Sequence, residues 1–137
     1  MVAYSFKAQF VDPIRSGAKC QTIRGDRKRH ARAGEELQLY TGMRTRSCRL
    51  IGIAICLRVV PIKIRSFTIE RGTASIEFDD RRLTQLCGID DFARKDGFAD
   101  WQEMQKFWQK NHPGVADFFG VLIEWRAFCT VQLGNAA

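Results

Sequence analysis

The sequence has few of the features that mark membrane, secreted or metal-bound proteins. Its longest uninterrupted apolar run, Leu50 to Leu57, is eight residues between Arg49 and Arg58. A membrane-spanning helix needs about eighteen, so none is predicted. The segment Met1 to Lys7 lacks the long apolar core of a secretory leader, and a cytoplasmic protein is the expectation. No Cys-x-x-Cys pair occurs. Cys20, Cys48, Cys56, Cys87 and Cys129 are scattered, and His30 and His112 are the only histidines. Structural zinc requires close ligand pairs, so neither metal nor cofactor is expected, and most of the cysteines read as small core residues. Walker-type phosphate loops, Gly-x-Ser-x-Gly and dinucleotide fingerprints are missing. Repeats, linkers and low-complexity stretches are missing too. One domain over residues 1–137 is the expectation, and that length buries a core without crosslinks.

What is present is positive charge, and it is localised. The formal net charge is +7. Residues 14–49 hold ten bases (Arg15, Lys19, Arg24, Arg27, Lys28, Arg29, Arg32, Arg44, Arg46 and Arg49) against the three acids Asp26, Glu35 and Glu36. The rest of the chain is balanced. Clustered bases are the usual footprint of polyanion binding, and the bland reading is a solvated loop. The bases sit among turn and strand residues rather than along an apolar helical stripe, which argues against a membrane-surface helix.

Local patterns predict a mixed α+β chain. A first strand is predicted over Val2 to Phe10. Asp12 and Pro13 start a short helix that Gly17 closes. Lys19 to Arg24 reads as a strand and Gly25 to Gly34 as an exposed loop. Glu36 to Tyr40 alternates. Cys48 to Val60 reads as a long strand buried on both faces at its middle, followed by strands at Ile62 to Ile69 and Ser75 to Phe78. Helices are predicted at Thr84 to Lys95, stopped by Gly97, and at about Trp101 to Asn111, where Asp100 and Glu103 resemble a capping box. In the second helix Trp101, Met104, Phe107 and Trp108 share one face, a spacing that core packing explains better than base stacking. Gly120 to Arg126 is the last predicted strand, and Leu133 to Ala137 reads as a frayed end. Several strands with inserted short helices suggest a small β-barrel.

The chemistry-bearing stretch is Gly17, Lys19, Thr22 and Arg24. Thr22 and Arg24 are two apart, so a strand puts them on one face. Lys19 reaches that face only if the chain is still turning there, which Gly17 permits. A lysine activates a hydroxyl only when neutral, so its pKa must fall towards 7 or 8. Arg15 and Arg24 would push it down and a nearby carboxylate would push it up. An anion-binding corner without catalysis is the alternative reading of the same residues. His30, among bases in the loop, reads as phosphate-facing or solvated. His112 reads as a helix-end residue, and Asp79 to Arg82 as a solvated turn with internal pairing.

Gly17-x-Lys19-x-x-Thr22-x-Arg24, with Phe6 and Phe10 upstream and Gly34-Glu35 leading into Leu37 to Tyr40, resembles the ASCH domain family. So do Ala93-x-x-Asp96-Gly97-Phe98 and the closing run from Gly120 to Trp125. The resemblance implies a PUA-like β-barrel that binds nucleic acid in a cleft lined by the lysine motif. It also implies an alternative, hydrolysis in that cleft, because some members deacetylate acetylcytidine with a Lys, a Thr and an acid, and others are reported as ribonucleases. Lys19 and Thr22 match the first two positions, and Asp96 stands where the acid falls. The partner implied is RNA or single-stranded nucleic acid, or a modified nucleoside. The basic insertion from Asp26 to Arg32 suits a polynucleotide, since a nucleoside is neutral. Arg15, Arg24, Arg27, Lys28, Arg29, Arg32, Arg44 and Arg46 are therefore the expected phosphate contacts.

Overall fold

The computed structural model describes residues 2–25, 27–66 and 74–126. The fold is mixed α+β. Seven strands and three helices occur among the described residues, ordered β1 (Val2–Phe6), a 3-10 turn (Ala8–Phe10), α1 (Val11–Ser16), β2 (Gln21–Arg24), β3 (Glu36–Thr41), β4 (Arg49–Arg65), β5 (Ser75–Phe78), β6 (Arg81–Leu83), α2 (Leu86–Lys95), α3 (Trp101–Asn111) and β7 (Phe118–Trp125). No helix among them is long and apolar enough to cross a membrane. The expected chain end at Leu133 to Ala137, the segment 67–69, Asp26 and Cys129 lie outside the described residues.

The long strand β4 organises the sheet. Its first half pairs antiparallel with β3, and β1 adds parallel to β3. Its second half pairs antiparallel with β7 on one side and, from Ile62, with β5 on the other. β5 turns into β6, and β2 pairs with β7. Two irregularities set the phase of β4. Tyr40 faces Leu50 while Leu39 faces Gly52, which leaves Ile51 as an extra residue. Cys56 faces Trp125 while Arg58 faces Glu124, which leaves Leu57 extra. Bulges of this kind bend a strand and re-aim its side chains. Ile51, Ala54 and Cys56 point inward, whereas Ile53, Ile55 and Leu57 are exposed. The expectation that the middle of this strand is buried on both faces is therefore corrected. The run is apolar throughout, yet the alternation of a strand turns Ile53, Ile55 and Leu57 to a face that nothing covers among the described residues.

Pro61 does not end β4 as the predicted break at Val60 required. β5 pairs only from Ile62 onward, so Pro61 faces an edge without a partner strand on that side, where its missing N–H is tolerated. β1 is shorter than predicted. It stops at Phe6, and Phe10 N–H donates to Lys7 O at 3.0 Å to start the 3-10 turn. The last strand begins two residues earlier than predicted, at Phe118.

The expected α+β class holds, but the expected barrel does not close. Among the described residues β1 and β2 share no ladder, so the strands do not close into a ring. A side chain bridges the gap instead: the Arg24 guanidinium donates to Ser5 O at 2.7 Å. This opening is where the polar motif lies.

The core fills with Tyr4, Ile14, Leu37, Leu39, Ile62, Ile64, Ile76, Met104, Leu122, Ile123 and Trp125, all essentially inaccessible. α3 starts as its sequence predicts, with the Asp100 carboxylate accepting from Glu103 N–H at 2.8 Å. Trp101, Met104 and Trp108 are buried, as the helical spacing implies.

Candidate functional site

Three short segments meet at the open β1/β2 seam. α1 ends at Gly17, whose φ of 86° is the left-handed conformation that glycine adopts without a Cβ clash. The turn sends the chain back, with Lys19 N–H donating to Pro13 O at 2.9 Å and Cys20 N–H to Lys95 O at 3.0 Å. The second bond fixes the end of α2 beside Lys19. Asp96 follows α2 directly and is buried.

Gly97 permits the packing. At φ 98° a Cβ there would meet Lys19 Cδ at 2.9 Å and Phe10 at 3.1 Å. The Lys19 side chain runs through that space. Its ammonium donates to Asp96 O, lies 3.8 Å from Asp96 Oδ1, and stands over the Phe10 and Phe6 rings at 4.6 and 5.6 Å from their centroids. Gln21 Nε2 reaches Asp96 Oδ1 at 3.5 Å and Phe92 O at 3.4 Å. Thr22 and Arg24 share one face as the strand period requires. Arg24 Nε donates to Thr22 Oγ1 at 3.2 Å, and its guanidinium lies 4.9 Å from the Phe6 centroid.

Burial dominates the electrostatics. Loss of solvent pushes the Lys19 ammonium down from 10.5 to about 8, opposed by Asp96 and helped by Arg24. Loss of solvent also pushes Asp96 up from 3.8 to about 6, opposed chiefly by Lys19. The two face each other as an ion pair at 3.8 Å, and burial draws each towards its neutral form. Arg24, rather than Arg15, is the arginine that repels the Lys19 charge. Arg15 is exposed on α1 and lines a neighbouring groove.

Lys19, Thr22 and Asp96 line one cavity of about 290 Å³ together with Arg24. Its remaining wall is largely aromatic, with Phe6, Phe10, Phe98, Phe107, Trp108 and Phe118. The cavity is thus polar at the motif end and aromatic elsewhere, with Phe10 packed edge-to-face on Phe98 and Phe107. The three expected catalytic side chains face the same space. Their described hydrogen bonds, however, link Lys19 to Asp96 and Thr22 to Arg24. Local sequence alone misses Gln21 and the aromatic wall as parts of the site. Helical spacing places the α3 stripe in the core, and Trp108 is indeed buried while also lining the cavity. The Phe98 ring is within reach of the sequence, since it follows Asp96 and Gly97 directly.

The remaining expected phosphate contacts lie outside the cavity. Arg32, Arg44 and Arg46 are exposed, as is Lys28. Arg27 lies over the Tyr4 ring at 4.5 Å and donates to Arg29 O at 2.7 Å and Ala3 O at 3.4 Å. Arg29 pairs with Glu35 at 2.5 Å. His30 is half-buried and held at both ring nitrogens. Its Nε2 donates to Gly25 O at 3.0 Å, and its Nδ1 meets Tyr4 Oη at 3.0 Å. His112 caps the end of α3, packs on Trp108 at 4.8 Å and also lines the cavity. Asp79 lies in the β5–β6 turn and Arg82 within β6, and rather than pairing inside the turn they pair with Arg58 at 2.7 Å and Glu77 at 3.4 Å. No cluster of His, Cys, Asp and Glu suited to a metal occurs among the described residues.

Comparison with protein-family models, with curated proteins and with solved structures finds no match to this chain.

Proposed function

We propose that this protein binds single-stranded nucleic acid, RNA foremost, through the face built by residues 15–49, and takes one base into the cavity between β1 and β2. The observation that carries this reading is the cavity itself. Its aromatic walls suit a flat heterocycle, and base–aromatic stacking contributes about 1–3 kcal/mol per base. At its polar end, Thr22 Oγ1 accepts from Arg24 and keeps its own hydrogen for a ligand. The surplus of bases over residues 14–49 supplies the attraction for phosphates. The residues that resemble the ASCH motif, from Gly17 to Arg24 and from Asp96 to Phe98, are those gathered around the cavity. That supports the family reading and, with it, a PUA-like barrel left open at one seam.

The test is a titration of short single-stranded RNA into wild type, Thr22→Val and Phe107→Leu. Thr22→Val keeps the shape and loses the hydroxyl, and a several-fold loss of affinity is expected, on the order of 1 kcal/mol. Phe107→Leu removes a stacking face and is expected to weaken binding further. Unchanged affinity in both variants contradicts the reading.

Hydrolysis in the same cavity is the second reading, favoured by the buried Lys19 with its pKa down at about 8. In that reaction neutral Lys19 takes the Thr22 proton, Thr22 Oγ attacks an amide carbonyl of an N-acetylated cytidine, and Lys19 returns the proton to the departing amine. Water then releases the acyl group from Thr22, and Asp96 positions the lysine throughout. A metal-independent ribonuclease is the other hydrolase of this class. Acetylcytidine and single-stranded RNA are the substrates to offer wild type, Lys19→Arg, Thr22→Ala and Asp96→Asn. The hydrolase predicts turnover that falls by roughly 10²–10⁴-fold in Lys19→Arg, because guanidinium stays protonated. Wild-type protein that binds RNA and turns over neither substrate rejects it.

A further inference from the structure

A second depression adjoins the cavity. It is an open groove of about 850 Å³ between the 3-10 turn and α1 on one side and the β3–β4 connection on the other. Ser5, Phe6 and Lys7 line both, so the end of β1 is the wall they share. Lys7, Arg15 and Arg49 line the groove, and no carboxylate does so among the described residues. All three bases are exposed, and none has an ion-pair or side-chain hydrogen-bond partner among the described residues. Arg27 and Arg29 differ in this respect. They already bind the loop to Ala3, Tyr4 and Glu35. Val11, Met43, Leu50 and Ile51 supply an apolar surface between the charges.

We propose that this groove carries the sugar–phosphate backbone of the strand whose base enters the cavity, with Lys7, Arg15 and Arg49 as its phosphate contacts, so that the ligand is a polynucleotide single strand rather than a free nucleoside or mononucleotide. The inference rests on the nucleic-acid reading and extends it. A base inserted past Phe6 leaves its neighbours at the mouth of the cavity, where the groove begins. The groove meets them with unpaired positive charge for the phosphates and an apolar surface for the sugars. A strand paired in a duplex cannot follow this path without unstacking the inserted base.

The experiment compares wild type with the triple variant Lys7→Ala, Arg15→Ala, Arg49→Ala. The probes are a short mixed-sequence single-stranded RNA, the matching DNA, and a nucleoside 5′-monophosphate. All three positions are exposed, so an unchanged far-UV spectrum and Tm are expected. A milder variant with glutamine at the same positions guards against loss of fold. The slope of log affinity against log salt for the RNA is expected to become shallower by about two units, at about 0.7 for each phosphate that is no longer neutralised. Affinity for the monophosphate is expected to fall less than affinity for the RNA, because Arg15 and Arg49 line the groove alone and only Lys7 also lines the cavity. The loop triple variant Arg27→Ala, Lys28→Ala, Arg29→Ala is expected to change the slope less. An unchanged slope in the groove variant overturns the inference, as does a larger change in the loop variant. Thr22→Val separates the two readings. If it and Phe107→Leu have no effect while the groove variant flattens the slope, the insertion of a base fails and the groove stands only as a phosphate-binding surface. If it weakens binding while the groove variant keeps the slope, the groove fails alone. The RNA and DNA arms report whether a 2′-hydroxyl contributes.

Discussion

Lys19 and Asp96 are each costly to bury charged, and each shifts towards neutrality for that reason. The signs determine where stability is lost. The folded pKa of Asp96, about 6, lies above its ordinary 3.8, so the folded state keeps this proton longer than the unfolded state. Its contribution is fully present below about 3.8 and is lost as pH rises through about 6. The folded pKa of Lys19, about 8, lies below 10.5. Its contribution is present above about 10.5 and is lost as pH falls through about 8. Between the two folded values both groups are charged and neither contribution operates. Asp96→Asn is therefore expected to abolish the stability gained on acidification from about 6 towards 3.8, on the order of 3 kcal/mol. Thermal melts across that range check it, and an unaltered pH profile in the variant contradicts the assignment. Lys19→Met alone leaves a buried carboxyl without its partner and is expected to cost about 3 kcal/mol near neutrality, whereas Lys19→Met with Asp96→Asn is expected to cost much less. Gly97→Ala is a separate test of the packing. The added methyl would meet Lys19 and Phe10 at a positive φ, so a loss of roughly 1–3 kcal/mol is expected in denaturant unfolding.

At the scale of elements, the helices were legible because caps and apolar spacing are local. Asp100 and Glu103 announce the start of α3, and Asp100→Ala is expected to lower stability by about 1 kcal/mol without changing affinity for RNA. Gly17 likewise closes α1, whereas the helix starts at Val11, and Pro13, expected at its first position, is its third residue. The strands were legible in number more than in register. Ile51 and Leu57 become extra residues because of what pairs with β4, and no pattern within Leu50 to Leu57 signals that. Pro61 reads as a break for the same reason: only the start of β5 at Ile62 shows that its edge is unpaired there. The polar motif was legible as a set because Gly17, Lys19, Thr22 and Arg24 are close in sequence. Gln21 was not, since its role depends on Phe92 and Asp96, more than seventy residues away.

For the whole molecule, the opening between β1 and β2 connects fold to proposed function. A closed ring would leave no entry beside Lys19 and Thr22. Here Arg24 bridges the seam through Ser5, and the cavity and the charged groove meet along β1. The account requires that a base leave its stack to enter. The most direct measurement is the affinity of the wild-type protein for a short single-stranded RNA and for the same strand annealed to its complement, at one fixed salt concentration. Extracting a paired base costs a few kcal/mol, and each 1.4 kcal/mol is tenfold in affinity. The account predicts that the single strand binds at least about tenfold more tightly. A duplex that binds as well as the single strand, or better, would contradict it.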